Sequence, residues 1–243
     1  MKMLLRLAVV LSLVAGCGSP ESTSPPASDG GEPQGADRTV VIGALADVQS
    51  WNPYLVEDID SERVLSLIYP SLAVEQTDYH LHPPSFEPSL ATSWAWSEDH
   101  LGLTLELDRE ASWSDGHPIT AADVVFTWRA QTSPEVAWMH GYIKDSIDSV
   151  EAIDEHTVLV RFNRASPYQL MDLNDGPIVP AHAWGGIGFG EWADTDWKDH
   201  VVAGGPFVLA GHTPQQEITL ERNPEYHGSP LPHLDRVVFR IVP

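Results

Sequence analysis

Residues 101–132, LGLTLELDREASWSDGHPITAADVVFTWRAQT, constrain the fold more than any other stretch of the chain. Leu101, Leu103, Leu105 and Leu107 point one way, while Thr104, Glu106 and Asp108 point the other. A period of two belongs to a β-strand with one face buried. Ser114, Asp115 and Gly116 then supply turn residues, and Pro118 restricts His117 to extended backbone. Thr120 is followed three residues later by Asp123, a capping box with Asp in place of the usual Glu. In that motif the hydroxyl accepts from the Asp123 amide and the carboxylate from the Thr120 amide. Val124, Val125 and Trp128 continue at helical spacing. The unit is a strand, a turn and a capped helix, and nothing in it demands chemistry.

The N-terminus carries an address. Lys2 and Arg6 precede a short apolar run at 7–14, and Val14, Ala15, Gly16 and Cys17 read as a lipobox closing a signal peptide over 1–17. The run is too short for permanent membrane crossing. Cys17 is the only cysteine, which rules out an intrachain disulfide or a CxxC site. A lone cysteine is otherwise a small buried hydrophobe, but this position favours lipidation. Residues 18–38, rich in Pro, Ser, Gly and acid, read as a disordered tether. The expected location is therefore extracytoplasmic, lipid-anchored to the cell membrane. The net charge of −22, from 35 acidic against 13 basic residues, argues against nucleic acid as a partner.

Elsewhere the pattern alternates strands and helices. Residues 39–46 (TVVIGALA) read as a buried strand, and 61–74 as a helix that Pro70 ends or kinks. Hairpins are expected at 147–154 with 156–163, and at 207–210 with 217–221. The glycine-rich loop at 185–190 lacks the Gly-Lys-Ser/Thr that cradles phosphate.

Residues 113–126, WSDGHPITAADVVF, resemble the signature W-x-D-G-x-P-L/I-T-A-x-D-V-V-F of the family 5 extracytoplasmic solute-binding proteins, the dipeptide-, oligopeptide- and nickel-binding receptors of ABC importers. The likeness extends through Trp51-Asn52-Pro53, Pro88 to Trp94, the Ile178-Val179-Pro180-Ala181-His182 strand motif, and Asn223 to Gly228. Ala203, Gly204, Gly205 and Pro206 stand where the family has G-T-G-P, a departure that puts the role of that loop in question. The resemblance implies an α/β fold: a periplasmic-binding-protein-like (type II, cluster C-like) lobe I with an inserted small α+β subdomain. The implied boundaries are 39–58 and 168–243 for lobe I and 59–167 for the insertion. Family members are longer, two-lobed proteins, so a missing second lobe is expected, and with it weak ligand binding by this chain alone.

The implied function is capture of an extracytoplasmic solute, an oligopeptide foremost, for ABC permease transmembrane subunits. Ligand contacts are expected from Asp47, Gln49, Trp51 and Tyr54 after the first strand, from Trp138, and from Asn174 and Asp175 before the Ile178 strand motif. Blander roles exist for each aromatic: Trp51 and Tyr54 as the edge of the core, Trp138 as packing. An Asp-Gly turn equally explains Asp175 and Gly176. Trp113, Asp115 and Gly116 read as scaffold. No cofactor and no metal site is expected, since His80 and His82 lack nearby cysteines and no HExxH is present. No catalytic residue is assigned, because G-x-S-x-G is absent and carboxylates are too plentiful to single out a pair. The rival readings are a secreted hydrolase and a single-lobe structural or signalling lipoprotein.

Overall fold

The structure is a computed structural model and describes residues 38–77 and 83–242. The expected signal peptide, the Cys17 lipobox and nearly all of the tether lie outside the described residues, as do His80 and His82. In chain order the elements are β1 (Thr39–Ala44), α1 (Ile59–Ile68), β2 (Ala73–Glu75), β3 (Phe86–Pro88), β4 (Ala91–Trp96), β5 (Gly102–Leu107), α2 (Ala121–Gln131), β6 (Ile147–Ala152), β7 (Thr157–Phe162), α3 (Gln169–Asn174), α4 (Ala181–Trp184), β8 (Phe207–Thr213), β9 (Glu217–Arg222) and β10 (Arg236–Ile241).

The leucine alternation builds the centre of a four-stranded antiparallel sheet in the order β4-β5-β7-β6. Leu103 and Leu105 are fully buried, and they stand opposite Val160 and Val158 of β7, which are buried as well. Thr104 and Glu106 take the other, half-exposed face. α2 packs across β6 and β7. At its start the Asp123 carboxylate accepts from the Thr120 amide at 2.8 Å, and the Asp123 amide donates to the Thr120 carbonyl at 3.0 Å. The threonine hydroxyl turns toward the same carboxylate, 3.4 Å away. The other Asp123 oxygen accepts from the amide of Ala181 at 2.8 Å, so one buried carboxylate holds the starts of two helices. Burial pushes this carboxyl upward against those hydrogen bonds.

A second four-stranded sheet runs β1-β10-β9-β8, with β1 parallel to β10 and the other pairs antiparallel. The strand at 39–46 is therefore present but differs from the buried strand expected. It is an edge strand with β10 as its neighbour; Val41 is 53% and Ile42 37% exposed, and Ala44 is its buried residue. α1 packs on β8, and its end is tied down by the 203–206 loop. The amides of Gly204 and Gly205 donate to the Ile68 carbonyl at 3.0 and 2.7 Å, satisfying an acceptor the helix leaves open. A Cβ on Gly205 would lie 2.7 Å from the Leu67 carbonyl oxygen, so the close approach requires glycine.

The segment at Ile178 does not form the expected strand. Ile178 donates to the Pro70 carbonyl at 2.8 Å and Val179 to the Thr127 hydroxyl at 3.0 Å. Pro177 and Pro180 have no amide to offer a ladder, which explains why no sheet partner joins here. Beyond it Trp184, Trp192 and Trp197 interlock with ring centroids 4.4 to 5.7 Å apart, all buried. One continuous apolar core runs through both sheets and this aromatic cluster.

Candidate ligand-binding cleft

An open cleft of about 470 Å³ lies along the last turns of α1. Leu65, Ser66 and Tyr69 form one wall; Trp138, Met139 and His140, with residues 174–177, form the other, and Pro206 and Tyr226 close one end. Of the residues expected to meet ligand, Trp138, Asn174 and Asp175 come together on this wall. Tyr54 stands directly behind it: its ring meets Trp138 edge-on at 5.3 Å, and its buried hydroxyl donates to the Pro177 carbonyl while accepting from the Gln131 amide at 3.2 Å. Burial raises the pKa of that phenol strongly, so it remains a neutral hydrogen-bonding group.

Asn174 is a strut. Its side-chain amide donates to the Ala73 carbonyl and accepts from the Ala73 amide, both at 3.0 Å, as a strand neighbour would. Asp175 differs. Its backbone carbonyl accepts from Gln131 at 3.0 Å and from Lys144 at 2.7 Å, whereas the buried carboxylate oxygen Oδ2 has no hydrogen-bond partner and lies 3.4 Å from Nδ1 of His140. The rest of that side chain is about one-third exposed, so the carboxylate can meet the cationic end of a ligand from the cleft while Oδ2 faces His140. The Asp-Gly turn expected here is also present, with Gly176 at φ +83°.

Lys144 holds the turn from beneath. Its ammonium, 1% exposed, donates to the carbonyls of Asp172, Leu173 and Asp175 at 2.6, 2.9 and 2.7 Å, capping the carboxyl end of α3. Burial pulls its pKa down to about 7, opposed by the nearby Asp175 and Asp172. The ammonium also lies 5.6 Å from the Trp138 ring centroid. Sequence reasoning missed Lys144, Gln131 and His140: each acts through contacts made across the fold, and none stands in a motif.

Asp47, Gln49 and Trp51 gather elsewhere. Nε2 of His212 on β8 lies 2.9 and 3.1 Å from the Asp47 carboxylate oxygens, the Gln215 amide donates to Oδ2 at 2.9 Å, and Trp51 meets the His212 ring edge-on at 5.2 Å. Burial raises the Asp47 carboxyl, but the Gln215 amide and His212 outweigh it and hold the group below the usual carboxylate range. Gln49 is exposed; its amide donates to the Ser61 hydroxyl and its side chain accepts from Glu57. Among the described residues, Asp115, His117 and His182 are the group whose donor atoms could hold a metal ion.

Residues 85–243 match the family model described as bacterial extracellular solute-binding proteins, family 5 Middle. The periplasmic oligopeptide-binding protein OppA of Escherichia coli K12 is 28% identical over 221 residues, covering 83% of this chain and 39% of that protein. Among solved structures, oligopeptide-binding AppA from Bacillus subtilis in complex with a nonapeptide aligns with a TM-score of 0.74 at 24% identity, over 85% of this chain and 40% of that one. NikZ from Campylobacter jejuni in complex with Ni(L-His) aligns with a TM-score of 0.71 at 20% identity, over 84% of this chain and 39% of that one. The chain thus spans about two fifths of the length of these relatives. The fold they share with it is α/β and type II periplasmic-binding-protein-like.

Proposed function

The chain belongs to the bacterial extracellular solute-binding proteins of family 5, and from that premise we propose that it captures a peptide outside the cytoplasm for an ABC permease. The observation that carries this reading is that the cleft is lined by both Trp138 and the partly exposed carboxylate of Asp175. A peptide amine would meet Asp175 and an apolar side chain would lie on Trp138, while Lys144, Asn174 and Tyr54 keep that wall in place. We also propose that residues 39–58 and 168–243 make one lobe around an inserted 59–167 subdomain. Closure of a second lobe over the ligand would be read by the permease as the loaded form. Cys17, lipidated, would anchor the protein to the outer face of the cell membrane. The role is binding and not catalysis.

The test is equilibrium dialysis against short peptides at up to millimolar concentration, with mass spectrometry of the retained peptide. Intact peptide should be retained, less of it by Asp175→Asn. Cleaved peptide, or retention that Asp175→Asn leaves unchanged, would overturn the reading.

A further inference from the structure

Outside the cleft, three donors from two distant segments meet at one point. Oδ2 of Asp115 lies 2.8 Å from Nε2 of His182, 67 residues away in sequence, and Oδ1 lies 3.3 Å from Nδ1 of His117. The two imidazoles stack with centroids 4.3 Å apart and planes 22° from parallel. One donor atom from each residue can be chosen so that all three fall within 4.8 Å of one another. We propose that Asp115, His117 and His182 form a binding site for a borderline divalent cation of the zinc or nickel type.

The donor spacing fits such an ion. Metal–nitrogen and metal–oxygen bonds of about 2.0–2.1 Å at tetrahedral or octahedral angles place neighbouring donors roughly 3.0–3.4 Å apart. The two contacts to Asp115, made through its two oxygens, are 2.8 Å, just short of that range, and 3.3 Å, inside it. A modest turn of the His117 ring would bring the three donors, all within 4.8 Å, onto one ion. Two imidazoles and one carboxylate suit zinc, nickel or copper, whereas calcium and magnesium favour oxygen donors. Three protein ligands also leave positions open for water or a second donor.

The segments that present these groups are fixed. The turn carrying Asp115 and His117 closes through Trp113 amide to His117 carbonyl at 2.8 Å, with Gly116 at φ +85°, and is tied to Ala203 by the Ser114 amide at 2.7 Å. His182 lies on α4, which Asp123 anchors. The His117 side chain is 60% exposed and so accessible to an ion, and the net charge of −22 draws cations toward the surface.

The experiment is titration of the chelator-treated full chain with Zn²⁺, by calorimetry and by thermal melting. One equivalent should bind saturably and raise the melting temperature, because a ligand of the folded state stabilises it. Loss of an outer partner of a metal site costs about 10–100-fold in affinity, so His117→Ala, at an exposed position, should lose at least about tenfold. His182→Ala should do the same, and calcium should not compete. Several weak equivalents unaffected by either substitution, or no saturable binding, would overturn the proposal.

Discussion

The ammonium of Lys144 lies 2.7 Å from the backbone carbonyl of Asp175, the residue whose partly exposed carboxylate lines the cleft. The same ammonium serves two further carbonyls of α3, so its three protons meet three acceptors. The cleft wall is thus supported from the core side by a buried charge.

Replacing that charge should loosen the wall. Lys144→Met leaves three carbonyls without their donor, and the expected loss at pH 7 is about 2–4 kcal/mol. The pH dependence has a definite sign. The folded amine sits near 7 against an ordinary 10.5, so between those values the unfolded chain binds more protons and stability rises with pH. Urea unfolding at pH 7, 8 and 9 should therefore show wild type gaining on Lys144→Met. A constant gap would contradict the burial of a charge-bearing amine here.

The Asp47–His212 contact joins the loop after β1 to β8 across 165 residues of sequence. Asp47 is depressed in the fold, so its contribution is present above the ordinary carboxylate value of 3.8 and is lost as pH falls through the lower folded value. Asp47→Asn should cost about 1–3 kcal/mol at pH 7. The difference from wild type should shrink from about pH 4 downward, as the wild-type carboxylate takes up its proton. Urea midpoints compared at pH 6, 4 and 3 check this, and a difference unchanged over that range would contradict it.

Gly205 is held against α1 with no room for a methyl group. Gly205→Ala should cost about 1–3 kcal/mol, with Gly211→Ala as the control, because a Cβ there meets nothing closer than 3.9 Å. Equal melting temperatures for the two variants would show that the 203–206 loop gives way easily.

The parts of this fold that could be read from sequence are those encoded locally. Leu103, Leu105 and Leu107 announced β5 by their period of two, Thr120 and Asp123 marked the start of α2, and both hairpins followed from alternation around turn residues. The misreadings have equally local causes. TVVIGA carries no sign of whether its faces will be covered, so the exposed edge position of β1 was not legible. At Ile178 the apolar run suggested a strand while its flanking prolines removed the donors a sheet needs. The cleft was half legible: Trp138, Asn174 and Asp175 came from family resemblance, whereas Lys144, Gln131 and His140 reach it through tertiary contacts. The Asp115–His182 pairing, 67 residues apart, has no spacing motif for the same reason.

The central claim is that peptide binds at the Trp138–Asp175 wall, and the indole N–H resonances test it most directly. The chain has 9 tryptophans, and Trp138→Phe identifies the signal in a ¹H–¹⁵N spectrum. On titration with a short peptide, the Trp138 signal should shift and saturate while those of the buried Trp113, Trp184 and Trp192 stay in place. A Trp138 resonance that stays fixed up to millimolar peptide, or shifts spread evenly over the indoles, would contradict the account.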